Sequence, residues 1–278
     1  MILVDLSQLL VASTFMSMKK EETEVDIKKI RHMILNSLRM YRKKYANEFG
    51  ELVICCDGSL SWRREIFPNY KAGRKTGREK SPLNWNQIFG CFEQFKKELR
   101  ETFPYKVLQV DTAEADDIIG TLVIERRGST SKVMIISSDK DFIQLQRYHD
   151  VFQFSPVTKK LLNGVDADEY LREHILRGDK SDGIPNVLSN DDCIVSGIRQ
   201  VPMTQKLLES WKHIPIPEEH KTRFERNTTL VDLRYTPFHL QEKILDQYSK
   251  EPIGSRNILP AYLTEHNLET LIKNIGDF

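Results

Sequence analysis

Four cysteines, Cys55, Cys56, Cys91 and Cys193, are few for 278 residues, and they form no CxxC pair and have no histidines at zinc-ligand spacing around them. That excludes the usual structural zinc motifs. Cys55 and Cys56 lie in an apolar run, where neighbours point to opposite sheet faces, and read as small core residues in a reducing compartment. Net charge is close to absent at +1, so only the placement of charges carries information. There is no fixed-period repeat and no low-complexity segment. The opening "MILVDLSQLL" has no basic n-region and meets Asp5 after four residues, which excludes a signal peptide or a membrane span there. A cytoplasmic, monomeric protein without membrane attachment is the expectation.

What is present is the balance of a globular chain, 40% hydrophobic and 29% charged, long enough to bury a substantial core. Short apolar runs end in turn-type residues at "MILVD", "ELVICCDG", "YKVLQVDT", "KVMIISSD" and "VFQFSP", the pattern of buried strands. Helical patterns lie between them. Ile27, Ile30, Ile34, Leu38 and Tyr41 form one stripe, and "LNWNQIFGCFEQFKKELRETF" forms another. Strand alternating with helix predicts an α/β fold with a mostly parallel central sheet flanked by helices. From about Val165 the strand signals stop and prolines break up helical stretches, which predicts an α/β domain over 1–164 and a helical subdomain over 165–278.

Carboxylates recur where strands run out. Asp5, Asp57 and Asp139 end the first, second and fourth runs and would emerge along one edge of a parallel sheet, where doubly wound folds place their ligands. Asp111 ends the third and has the same pattern. Glu114, Asp116 and Asp117 open the helix in "AEADDIIGTL", Asp141 follows in "SSDKDF", and "RGDKSDGIPN" adds Asp179 and Asp182. Each alone is explained as a cap or a solvated turn, and Asp141 as the cap of a helix in "DFIQLQR". Together they are harder to dismiss, because two bare carboxylates about 4 Å apart repel by roughly 4 kcal/mol at an effective dielectric near 20. The basic residues sit mostly elsewhere. All-oxygen donors without His or Cys point to magnesium or manganese and to phosphate-ester chemistry.

The segment "WRREIFPNYKAGRKTGREK" carries Arg63, Arg64, Lys71, Arg74, Lys75, Arg78 and Lys80 with Trp62, Phe67 and Tyr70 among them. A charge run is commonly a solvated face. This one leaves directly from Asp57 and holds Gly73 and Gly77, and cations beside stackable rings suit a single strand of nucleic acid.

In this order, Asp5, Asp57, "EADD", "SSDKDF" and "GDKSD" resemble the flap endonuclease and 5′ nuclease family. "WRR", "YK" followed by Arg74, "IISSD", "QFSP" and the closing "DF" are most similar to its branch of ribonuclease H enzymes from T-even bacteriophages. The resemblance covers nearly the whole chain. It implies a PIN-like 5′ nuclease fold and a metal-dependent 5′ to 3′ exonuclease or flap endonuclease that removes RNA primers during phage replication in the host cytoplasm. It implies two magnesium ions, replaceable by manganese, surrounded by Asp5, Asp57, Glu114, Asp116, Asp117, Asp139 and Asp141, with Asp179 and Asp182 completing the second site. Residues 59–82 become the arch past which a free 5′ end runs, with Lys71 and Arg74 acting on the scissile phosphate. Arg63, Arg64, Tyr70, Lys75, Arg78 and Lys180 become nucleic-acid contacts, on branched, nicked or RNA-primed duplexes. The stretch from about Leu176 to Ile198 corresponds to a helix-turn-helix variant that grips duplex DNA, in relatives sometimes around a potassium ion. Here "NVLSNDD" lacks the paired glycines of that hairpin, which argues against a potassium site. The C-terminal half is the expected face for a single-stranded-DNA-binding protein. Docking to a sliding clamp is not expected, because the sequence opens at its first strand. The competing readings are a PIN-type endoribonuclease, which shares the acidic edge, and a non-catalytic DNA-binding replication protein.

Overall fold

The computed structural model describes residues 1–18 and 25–278. All five apolar runs are strands: β1 (Ile2–Asp5), β2 (Leu52–Cys56), β3 (Lys106–Gln109), β4 (Val133–Ile136) and β5 (Val151–Ser155). Every residue of β1, β2 and β4 is buried, which is why they read as unbroken apolar runs. The sheet order is β3-β2-β1-β4-β5-β6, parallel until the short β6 (Lys160–Leu162), which pairs antiparallel with β5. β6 is three residues long and barely buried, too short to announce itself. The chain builds outward from β1 in one direction, then returns to its other side with β4. The crevice at the C-terminal ends of β1 and β4 is therefore the switch point at which such sheets bind ligands.

Helices cover both faces. Over one lie α1 (Leu6–Ser17), α2 (Ile27–Phe49) and, after the short α3 (Arg63–Ile66) and α4 (Gly73–Glu79), α5 (Trp85–Thr102). The predicted stripe on α2 packs there through Ile30, Ile34, Leu38 and Tyr41 against Ile2 and Val4. Over the other face α6 (Ala115–Glu125) sets Ile118, Ile119 and Leu122 against Leu3, Val53 and Ile135. Cys55 and Cys56 are fully buried.

The helical half continues with α7 (Ala167–Arg177), α8 (Gln205–His213), α9 (Glu218–Val231), α10 (Phe238–Ser249), α11 (Leu259–Glu265) and α12 (Glu269–Ile272). Part of its apolar surface joins the two cores that flank the sheet. Leu240 and Ile244 complete the α6 side, while Leu259, Leu263 and Phe278 complete the α2 side. Two smaller clusters are separate: one joins Leu171, Ile175 and Leu230 to Phe67 and Tyr70, and the other, with Leu176, Leu208 and Trp211, lies within the helical half.

Two local expectations need correction. The chain after β4 forms a 3-10 turn over Lys140–Arg147, and its cap is Asp139, which accepts from the Asp141 amide, rather than Asp141 itself. Between α7 and α8 the chain runs through turns, so the stretch 178–198 contains no second helix of a helix-turn-helix. Pro185 has no amide to donate and Gly197 takes φ 69°, and both work against a continuous helix there.

Candidate metal centre and its basic arch

Asp5 is the last residue of β1 and caps α1, accepting from the Gln8 amide at 3.1 Å and from the Ser137 hydroxyl at 3.0 Å. Asp57, one residue past β2, accepts from the Ala115 amide at 2.9 Å and so holds the first turn of α6 at the same edge. That turn presents Asp116. Burial pushes the Asp5 carboxyl up to about 7, and the charges of Asp57 and Asp139 add to it. Asp116 is pushed well above the carboxylate range by burial, then by Asp139 and Asp5. Asp5, Asp57, Asp116 and Asp139 thus form one mutually repelling group at the switch point. The geometry leaves Asp111 outside: it is exposed and accepts from the Ser59 hydroxyl.

A second group lies beside it. Burial pushes Asp141 up to about 7, with Asp139, Asp179 and Asp182 adding repulsion and His174 opposing them. Asp179 is held well below the usual range despite its burial, by His174 standing 3.6 Å away and by a hydrogen bond from the Ser181 hydroxyl. Asp182 receives Arg74 at 2.5 Å, the Tyr70 hydroxyl at 3.0 Å and Lys71 Nζ at 3.5 Å. His174 was missed from the sequence, where a lone histidine inside an amphipathic helix carries no signal; only folding sets it 3.5 Å from Asp141 and 3.6 Å from Asp179.

Three predicted site residues have a different role. Asp117 is fully buried and saturated, accepting from Arg63 through two nitrogens, from Trp62 Nε1, from the Thr236 hydroxyl and from the Glu114 amide. No lone pair is left for a metal. Arg63 is 2% exposed and donates also to the Leu230 carbonyl at 2.7 Å, so it does not reach nucleic acid. Tyr70, equally buried, offers no face for a base; its hydroxyl bridges Glu114 at 2.7 Å and Asp182. The sequence counts these as a basic, aromatic arch, but only packing shows which side chains turn inward. Exchanging Arg63 for Met should leave Asp117 as an uncompensated buried charge and cost about 3–5 kcal/mol in a urea unfolding titration, whereas a loss below about 1 kcal/mol would show that the pair is dispensable.

Glu114 keeps one oxygen on Arg63 and Tyr70 and gives the other to Lys71 at 2.5 Å. The expectation that counter-charge must come from outside is therefore corrected in part. Lys71, Arg74, Arg63 and His174 fold in among the acids, and the Lys71 ammonium stands as a cation between Glu114 and Asp182. No basic side chain pairs with Asp5, Asp57, Asp116 or Asp139 among the described residues. That all-oxygen set fits a hard divalent ion.

The arch is tied down at its base. Lys71 has φ 55°, unusual for a residue with a side chain, and its amide donates to the Asp182 carbonyl at 2.7 Å. The facing residue is Gly183, at φ 76°, where a Cβ would come within 2.8 Å of the Asn69 carbonyl oxygen. Beyond this anchor α4 is already helical, but it begins at Gly73, so Lys71 precedes it rather than sharing its face with Arg74. Arg64, Lys75, Arg78 and Lys180 are exposed. The Arg78 guanidinium lies 5.2 Å over the Phe89 ring, on the wall of an open cleft of about 660 Å³ between α4 and α5.

The raised carboxyls make stability depend on pH. Asp5 and Asp141 hold their protons to about pH 7 when folded but would release them near 3.8 when unfolded. The folded state binds the extra protons, so it is favoured at the acid end of that interval and loses the advantage as pH rises. In chelator the protein should melt at a lower temperature at pH 8 than at pH 5.5, and magnesium should remove most of the difference. A melting temperature that climbs with pH in chelator would contradict this.

Residues 1–174, well over half the chain, match the family described as 5′-3′ exonuclease, N-terminal resolvase-like domain. The chain belongs to the 5′-3′ exonuclease family. Residues 166–278 match a second model, the C-terminal domain of T4 RNase H. Across 291 aligned positions this 5′-3′ exonuclease is 31% identical to the ribonuclease H of Enterobacteria phage T4, covering 99% of this chain and 95% of that protein. It is 29% identical over 145 residues to the flap endonuclease Xni of Shewanella sp. (strain MR-4), covering 49% of this chain and 52% of that one. The flap endonuclease of bacteriophage T5, solved as a pseudo-enzyme-product complex with DNA and metal ions, shares the fold with a TM-score of 0.62 at 18% identity, over 90% of this chain and 99% of that chain. The 5′-3′ exonuclease is thus a phosphodiester hydrolase of the metal-dependent 5′ nuclease class. No helix among the described residues is long and apolar enough to cross a membrane.

Proposed function

We propose that this nuclease removes RNA primers, cutting phosphodiester bonds from free 5′ ends of RNA–DNA hybrids and at nicks or flaps in duplex DNA, with two magnesium ions that manganese replaces. The observation that carries the reading is the pairing of an uncompensated carboxylate group at the switch point with a lysine and an arginine docked over its neighbour. Asp5, Asp57, Asp116 and Asp139 would hold one ion, and Asp141, Asp179 and Asp182 the other. When bound, the ions lower the pKa of water and neutralise phosphate charge.

The chain's own residues do the rest. A phosphate entering beside Glu114 and Asp182 competes for Lys71 and Arg74, which already lie within 3.5 Å of those carboxylates, and drawing them over places two donors on the scissile group. Lys75 and Arg78 line the cleft between α4 and α5, where they meet the negative backbone of an entering strand. Asp5 closes β1 and Asp139 follows β4 at the switch point. The test is a labelled RNA-primed, nicked duplex, intact or carrying a bulky block at its 5′ end. Removal of 5′-terminal products that the block slows by about tenfold or more supports the reading, since a free end must pass the arch. Equal cutting of unstructured single-stranded RNA, indifferent to the block, would replace it with a PIN-type endoribonuclease.

A further inference from the structure

The second group differs from the first in one donor. Asp141, His174 and Asp179 each offer a ligand atom, and these atoms lie within 4.8 Å of one another. They come from three pieces of chain: the 3-10 turn after β4, the last turns of α7, and the loop just beyond α7. Tyr170, one turn earlier on the same helix, steers the imidazole with its hydroxyl 3.3 Å from Nδ1, the nitrogen that also faces Asp141. Nε2 is buried and makes no hydrogen bond, although Asp179 Oδ2 stands 3.6 Å away. Asp141 is 3.5 Å from Nδ1. A closed imidazolium–carboxylate pair draws in to about 2.7–2.9 Å, so both carboxylates stand off by the better part of an ångström. Donors set apart in this way, with a second polar group steering the ring, are the arrangement of a histidine metal ligand.

We propose that Asp141, His174 and Asp179 form a mixed nitrogen–oxygen cation site that prefers divalent transition ions to magnesium, next to the all-oxygen group of Asp5, Asp57, Asp116 and Asp139. An imidazole donor shifts affinity toward manganese, cobalt and zinc, because magnesium takes oxygen and parts reluctantly with water. The two halves of the centre therefore differ in metal preference: the switch-point group accepts magnesium, and the α7 group selects a softer ion. Asp182, the remaining carboxylate of this second ion, is paired with Arg74 and Lys71. The inference rests on the acidic edge being a metal centre, and adds the donor and the selectivity that the sequence alone does not show.

Manganese bound to the full chain reports its ligands directly through pulsed EPR. Imidazole nitrogen coupling is expected in the native protein, is expected to change isotope pattern when histidine is labelled with nitrogen-15, and should persist in His149→Gln, where the exchanged ring is exposed at the surface. In His174→Gln the coupling should vanish, and calorimetry should show one class of manganese site weakened by about tenfold or more while magnesium affinity moves by less than about threefold. The labelled native protein decides the matter even if that variant does not fold. Manganese bound without any histidine coupling would overturn the inference and leave the metal centre standing. Failure to bind manganese or magnesium at all would overturn both.

Discussion

Asp57→Asn should leave a folded protein that no longer turns over, a loss of at least about a thousandfold, equivalent to about 4 kcal/mol of barrier. Asparagine keeps the carbonyl oxygen that accepts from the Ala115 amide, so the first turn of α6 stays docked on the end of β2. What disappears is the charge. Among the charged neighbours of Asp5, Asp57 contributes most to its raised pKa, so removing that charge relieves repulsion in the metal-free protein. The variant should therefore melt higher than the parent in chelator while gaining less on addition of magnesium. Both halves follow from one cause, a carboxylate that serves an ion at some cost to the fold. Turnover near the parent level at saturating magnesium would remove Asp57 from the centre.

Lys71→Ala should lower the single-turnover rate by about a hundredfold, in the range expected when a donor aimed at transition-state charge is lost. The side chain is only 15% exposed and reaches Glu114 at 2.5 Å, yet neither acid depends on it alone: Glu114 retains Arg63 and Tyr70, and Asp182 retains Arg74 and Tyr70. The fold should therefore survive, and substrate affinity should fall far less than the rate. A structural lysine would show the opposite division, with melting temperature and affinity lost together. Full activity in the variant would refute the role given to the arch base. The backbone adds a second reason to expect sensitivity here, because a residue held at φ 55° by its bond to Asp182 is positioned by the loop that carries the second group.

The physical origin of the site explains how much of it could be read in advance. Buried strands need apolar residues at every position, so β1 to β5 are visible as runs. An acid that follows such a run has to lie at the sheet edge where the strand ends. That is local information, and it located Asp5, Asp57, Asp116, Asp139 and Asp141 at one edge of a parallel sheet. The basic stretch after β2 is local in the same sense, and its position beside the acids follows from where β2 stops. β6, with one half-buried residue in three, has no such signature.

Direction and pairing are not local. Arg63, Arg64 and Tyr70 belong to one run of similar composition, but the packing of α9 and α6 turns Arg63 and Tyr70 inward to Leu230, Asp117 and Glu114 and leaves Arg64 in solvent. His174 looks like any helical histidine until α7 lies against the turn after β4. The helical half likewise shows its helices in the sequence but not its packing onto both faces of the sheet through Leu240 and Leu259. The amino-acid sequence by itself determined the α/β class, the acidic edge and the basic segment, because burial period and strand ends are properties of neighbouring residues. Only the tertiary structure decided which acids stay free, which cations neutralise the others and where a nitrogen donor joins them, because a side chain's partner is set by contacts between residues as far apart as Asp117 and Thr236.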